Sequence, residues 1–394
     1  MIVRNTDLGV LPVTDRVIHA VSGTYKSEIE QGPLNWSNEL VLHVIELKTN
    51  SPAPSLEPLP DLFLSHVRKI NRILGSLDGR LMPTAMHPWM DPIRETRPWP
   101  HEYNIVYEAY NRIFGCRGHG WSNLQSLHIN LPFADDSEFG RLHAGIRLIL
   151  PILPAIAASS PIVEGGLSGL MDNRLEYYRN NQKIIPSLAG AVIPEPVFTR
   201  REYKQQVLER IYRDIAPYDH ENILRHEWLN SRGAIVRFDR YAIEIRVIDV
   251  QECPLADLAI TAAIVALLKA FAAETWETIP VQQAFPTERL TGLFLRSIKD
   301  AEKAEIEDPE YLHLFGIDSR SVCTTGELWQ YLFSSKLSSR MADLWTEPLE
   351  VILQQGPLSR RIIRALNGDY SRKNITGCYR KLMECLEEGR LFHA

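Results

Sequence analysis

The chain has 394 residues, of which 45% are apolar and 23% charged, which gives it material for a large core and excludes a disordered or collagen-like chain. Lys and Arg number 43 against 49 Asp and Glu, a formal net charge of −6, too mild for a protein that coats nucleic acid or binds membranes through basic clusters. Five cysteines, at 116, 253, 323, 378 and 385, are odd in number and have no C-x-x-C spacing, so they build neither a disulfide framework nor a zinc site.

No apolar stretch follows a basic start at Met1, so no secretory signal is expected. The longest apolar runs, over 146–158 and 258–273, are interrupted by prolines or Lys269 and read as too short for a span of ~18–20 residues. The expectation is a cytoplasmic protein with no nucleic-acid or membrane partner; a homo-oligomer is left open.

In chain order, period-two alternation predicts a first strand over 38–48 (NELVLHVIELK). Helices are predicted over 56–77 and 101–114. A second strand follows over 124–131 (LQSLHINL), then helices over 138–158 and 201–215, then a third strand over 241–250 (YAIEIRVIDV). Beyond Pro254 the pattern is helical, over 255–273, 287–304, 325–333, 339–355 and 371–391, with breaks near Pro280, Pro286 and Pro309. Long crossings without a glycine fingerprint favour α+β over a Rossmann-type sheet. The predicted organisation is a sheet-bearing part over 1–260 with inserted helices, and a helical part over 261–394 packed on the same unit.

The polar faces of these strands agree. On the third, Ile243, Ile245 and Val247 point one way, while Glu244 and Arg246 share the other face with Ala242 and Ile248. These two charges are either an ion pair on a wet face or part of a site. On the second strand Ser126, His128 and Asn130 form a polar line. A lone strand histidine is more often structural than a ligand, but this one has polar company. On the first strand Glu46 closes a face of Leu40, Leu42 and Val44, and an acid there needs solvent or a cation. Glu39 and His43 take the opposite face in regular geometry, so Glu39 and Glu46 can serve one site only through a bulge or twist. Carboxylates with an imidazole suit Mg²⁺ or Mn²⁺ carrying a nucleotide phosphate, and an arginine beside them suits a substrate carboxylate.

Other signals leave two readings open. GCRGH (115–119) is a turn or a phosphate nest, and Trp89 in MHPWMDP (86–92) is a substrate wall or core. Tyr177 and Tyr178 are equally ambiguous. HEYNI and HEWLN fail the H-E-x-x-H spacing of a zinc protease, and GLSGL is not a hydrolase elbow.

Five stretches, in order, resemble the glutamate–cysteine ligase type 2 carboxylate–amine ligases: NELVLHVIELKTNSPAP (38–54), LMPTAMHPWMDP (81–92), YNRIFGCRGHGWSNLQSLHINLPF (110–133), ASSPIVEGGLSGLMDNRLEYYR (158–179) and IEIRVIDVQECPLADLAI (243–260). The resemblance implies a glutamine synthetase-like fold, a curved antiparallel sheet whose concave face binds metal ions, ATP and an amino acid. It implies Glu46, Glu244 and Glu39 as metal ligands, with His128 near metal and phosphate. It implies Arg246 as a binder of the phosphoryl group or the substrate carboxylate, Arg174 as a binder of that carboxylate, and Arg179 as a further cofactor-binding candidate. The E-x-E strand that opens the family pattern has no counterpart in Met1-Ile-Val-Arg; Glu28 and Glu30 form an E-x-E only in the next segment.

The chemistry implied is two-step: ATP phosphorylates a carboxylate, and an amine then displaces phosphate from the acyl phosphate. Glutamate and cysteine are the expected substrates, as in glutathione biosynthesis. The alternatives are a ligase for another amine in specialised metabolism, and a non-catalytic relative that binds nucleotide or glutamate, motivated by the absent E-x-E.

Overall fold

The computed structural model describes residues 1–318 and 322–394. A short strand, Ile2–Arg4 (β1), and a helix the sequence reading did not anticipate, Thr14–Ser22 (α1), lead into a three-stranded antiparallel sheet. Its strands are Glu28–Gln31 (β2), Leu34–Asn38 (β3) and Ile45–Thr49 (β4), in the order β2-β3-β4. One face is apolar: Ile29, Trp36 and Ile45 are buried in one cluster with Val67, Ile70 and Leu74 of the helix Leu59–Gly75 (α2). Trp36 Nε1 donates to His66 Nδ1 at 2.8 Å, which satisfies the one polar atom of that ring. The other face is a polar row, because Ser37 lies opposite both Glu28 and Glu46, and Asn35 lies opposite Glu30 and Lys48.

The strand expected over 38–48 is therefore the end of one strand and most of the next. Residues 39–44 leave the sheet and pair with 97–99 instead: Leu42 N donates to Arg97 O at 2.9 Å, and Trp99 N to Leu40 O at 2.9 Å. Leu40, Leu42 and Val44 imitate strand alternation because they are drawn into different apolar clusters. Glu46 consequently sits on the polar face, not on the apolar face assigned to it from alternation.

Gly79–Leu81 (β5) pairs with β1. After the helix Asn104–Phe114 (α3) and the short helix His119–Ser122 (α4), Ser126–Pro132 (β6) forms one edge of a second three-stranded antiparallel sheet. The helix Asp136–Ile149 (α5) ends where Pro151 and Pro154 interrupt its hydrogen bonding, so the predicted run to 158 breaks into single turns. A two-residue hairpin, Ile162–Val163 (β7) and Gly166–Leu167 (β8), and the helix Asn173–Asn180 (α6) follow. Ala234–Arg237 (β9) and Ala242–Asp249 (β10) complete the second sheet in the order β6-β10-β9. The fold is α+β as expected, with antiparallel strands, but hydrogen bonding divides them among several small sheets and none is closed.

Pro254–Ala272 (α7), predicted over 255–273, has 19 residues and reaches a mean hydropathy of 2.0, so by length and composition it could cross a membrane, although the apolar run over 258–273 reads as too short to do so. Most of it is buried, and it packs on α5 and α2. Thr287–Asp300 (α8), Thr325–Leu332 (α9), Thr346–Gln355 (α10), Leu358–Leu366 (α11) and Arg372–Glu388 (α12) follow; α12 returns to α2 and β5. α11 was not anticipated. Leu358, Ile362 and Leu366 make its buried stripe.

His43 and His87 are fully buried, with Nε2 of each against a backbone carbonyl: Ser122 O at 2.8 Å and Leu8 O at 2.6 Å. Burial lowers their pKa values to about 4 and about 3. Both stay neutral in the folded protein but take a proton near pH 6.5 when unfolded, so the stability they contribute is present above that pH and lost below it. By pH 4.5 the loss is ~2–3 kcal/mol for each. The melting temperature is expected to be flat from pH 8 to 7 and to fall below 6.5, with a shallower acid limb in His87→Gln.

Candidate active site

Glu244 on β10 faces Asn130 on β6, and Ile245 faces Ile129. The register then slips, so that Ile248 faces Leu127 and two residues, Arg246 and Val247, oppose His128 alone. This bulge lets Val247 and Ile248 both be buried while Arg246 keeps to the side of Glu244 and His128. Arg246 Nε donates to Glu244 Oε1 at 2.6 Å, His128 Nδ1 lies 3.4 Å from the same oxygen, and Arg237 of β9 reaches Oε2 at 3.8 Å. Desolvation opposes the charge on Glu244, but Arg246, His128 and Arg237 outweigh it and hold its pKa at about 2. Arg246 also donates to Asn230 O at 3.4 Å, while the nearby Tyr178 hydroxyl donates to Arg232 O at 3.2 Å.

His128 is partly open to water, and desolvation by the surrounding protein lowers its pKa to about 4 against the pull of Glu244. Its Nε2 meets Ser126 Oγ at 2.8 Å. Glu39, at the start of the 39–44 excursion, is exposed; desolvation, and then the charge of Glu46, raise its pKa to about 7. Glu46 accepts from Ser37 Oγ at 2.5 Å and from Lys48 Nζ at 3.1 Å, and Lys48 also holds Glu28 at 2.6 Å. The charge of Arg246 acts on Glu39, and that of Glu46 on His128, so both sheets face one electrostatic neighbourhood.

Arg174 is a strut. Its Nε donates to Asp249, its NH1 to Arg246 O at 3.2 Å, and its NH2 is buried without a partner. Asp249, fully buried at the end of β10, also accepts from Ser159 N at 2.8 Å and Ser160 Oγ at 3.1 Å. Asp172, buried beside it, has its pKa pushed up by burial and by the Asp249 charge. Arg179 stands apart, forked onto Glu176 on the surface of α6 at 2.7 and 2.9 Å.

The residues thus brought together are Glu244, His128 and Arg246 in contact, Arg174 through the Arg246 carbonyl, and Glu39 with Glu46 by electrostatic reach. Sequence reasoning missed Arg237, Lys48 and Asp249. The run AIVRF (234–238) carried a strand signal for Arg237, and Lys48 lies two residues after Glu46, whereas nothing local marked Asp249 as a buried hub. Two clefts of about 470 and 760 Å³ lie elsewhere, among 281–334. In the larger, Arg289 already pairs with Asp308 and Glu310.

The profile of glutamate–cysteine ligase family 2 matches residues 11–383. The chain belongs to that family. A protein of Archaeoglobus fulgidus described only as uncharacterized is 32% identical over 395 residues, which cover 99% of this chain and 97% of that relative. Glutamate–cysteine ligase family 2 is of the carboxylate–amine ligase type, and its substrates are small molecules.

Among the described residues no three His, Cys, Asp or Glu groups are gathered tightly enough to cage a metal. Glu39 and Glu46 nevertheless suit a divalent cation, because the Glu46 charge makes ionising Glu39 costly and a bound cation would relieve that cost. Glu244 suits it less, since a metal there would compete with two guanidinium groups.

Removing the Glu244 carboxylate leaves Arg237 and Arg246 facing each other in a nearly buried cluster. Glu244→Ala is therefore expected to cost ~2–4 kcal/mol of stability in urea unfolding. Asp249→Asn, which strips the strut of its counter-charge, is expected to cost ~3–5 kcal/mol.

Proposed function

We propose that the protein is an ATP-dependent carboxylate–amine ligase that forms an amide through an acyl phosphate, with glutamate as the acid and cysteine as the amine. The observation that carries this reading is the Glu244–His128–Arg246 contact set on one strand face, with Glu39 and Glu46 in its field. Membership of glutamate–cysteine ligase family 2 supports the reaction class.

In this reading Glu39 and Glu46 would hold Mg²⁺ or Mn²⁺, which would supply charge neutralisation between two anionic substrates. Arg246 keeps its charge under all ordinary conditions, since Glu244 raises its pKa. It would stabilise the negative charge that develops as the substrate carboxylate attacks the γ-phosphate of ATP. His128, neutral at pH 7, donates or accepts a hydrogen bond there without adding charge. Arg174 orients Arg246 through its backbone carbonyl and offers its unpartnered NH2 to a carboxylate. Arg179 is left as a surface candidate for nucleotide binding. Five buried cysteines accord with a reducing cytoplasm.

A second reading, a relative that binds nucleotide or glutamate without turnover, is favoured by one feature: Glu244 is already engaged by Arg246, Arg237 and His128. ADP release measured with Mg²⁺, ATP and glutamate, against a panel of amino acids and simple amines, separates them. The ligase reading expects many turnovers only when acid and amine are both present, with cysteine the best amine. Another amine ranking first would redirect the substrate assignment. Calorimetric Mg-ATP binding with no turnover for any amine would establish the second reading.

A further inference from the structure

The hairpin β7–β8 turns through Glu164 and Gly165, with φ of +50° and +79°. Two consecutive positive φ values in a two-residue hairpin are the type I′ geometry, in which Asn, Asp or Gly is preferred at the first position. A glutamate there is strained, and its carboxylate projects largely into solvent. Beneath it lies His119 at the start of α4, 8% exposed. Asn123 Nδ2 donates to His119 Nδ1 at 3.0 Å, which leaves the ring hydrogen on Nε2. That Nε2 lies 3.5 Å from Glu164 Oε1, beyond the usual hydrogen-bond range, and has no hydrogen-bond partner. A buried, unpartnered N–H donor thus sits next to one carboxylate oxygen. Among the described residues no Lys or Arg pairs with Glu164, and the nearby Glu176 and Asp91 are also acidic.

The pair is linked to the candidate site through α6. The His119 ring packs obliquely on Tyr177 at 5.0 Å, and Tyr177 lies one helical turn from Arg174, which donates to Arg246 O. The hairpin is tethered at its tip by Gly165 N to Pro88 O at 2.8 Å, and at its base through Ser160 to Asp249. A carboxylate without a cation, fixed on a strained turn beside a tyrosine ring, has the chemistry of an ammonium subsite.

We propose that Glu164 takes the cationic nitrogen of the incoming amine substrate, a primary ammonium compound, with His119 as the positioning residue that orients its carboxylate. This rests on the ligase reading above. Glu164→Asn tests it, because asparagine suits the turn and removes the charge. The expected result is an unchanged or raised melting temperature, a KM for the amine raised at least about tenfold, and KM values for ATP and the acid within about twofold. Amine-independent scrambling of the ATP β,γ-bridge oxygen, which reports acyl phosphate formation, should persist. His119→Leu should raise the amine KM several-fold, and His119→Gln, which restores an N–H donor, should recover most of it. An unaltered amine KM in Glu164→Asn overturns the subsite while the ligase stands. Absence of both scrambling and turnover from the wild-type protein overturns the ligase reading and the subsite with it.

Discussion

The buried end of β10 governs the geometry of the whole site. Asp249 collects the Ser159 amide, the Ser160 hydroxyl and the Arg174 guanidinium, none of them in contact with bulk water. Three residues on, Glu252 is fully buried against Arg361 of α11 and accepts the Phe392 amide at 3.1 Å. Gln251 between them donates to Ala157 O at 2.6 Å and Asp249 O at 2.8 Å. One short segment therefore fastens β10 to the 158–160 turn, to α6 and to the C-terminal helices. A buried charge is tolerated only when its partners are fixed, so these elements cannot shift independently.

That rigidity lets charges of one sign sit close together. Glu39, Glu46, Glu244 and Glu28 lie on faces that also carry Arg246, Arg237, Lys48 and His128. The two sheets treat their acids differently. On β10 the cations outnumber the acid and keep it ionised, whereas at the start of the 39–44 excursion Glu39 meets Glu46 with weaker compensation. The surplus positive side suits anionic oxygens, and the surplus negative side suits a metal ion.

Much of this was legible in the residues. Period-two alternation in LQSLHINL and YAIEIRVIDV located β6 and β10 and put His128, Glu244 and Arg246 on one side, because each strand has one apolar face and its register follows from burying it. The first strand was only half legible. Its pattern continued through residues that pair with 97–99, and a contact more than 50 positions distant leaves no local trace. The bulge at Arg246 and Val247, the role of Asp249 and the engagement of Arg174 were invisible for the same reason. Pro151 and Pro154 were visible in the sequence, yet the apolar run around them outweighed them in the reading, and the helix ended earlier than expected. The helix predicted over 255–273 matches α7 to within one residue at each end, and Lys269 near its end extends to solvent without interrupting it.

The excursion over 39–44 fixes the spacing of the two acids at its feet. Asn38 and Ile45 are paired within the sheet, Leu40 and Leu42 are bonded to 97–99, and His43 is buried on Ser122 O, so a residue inserted between the acids would have to break one of these anchors.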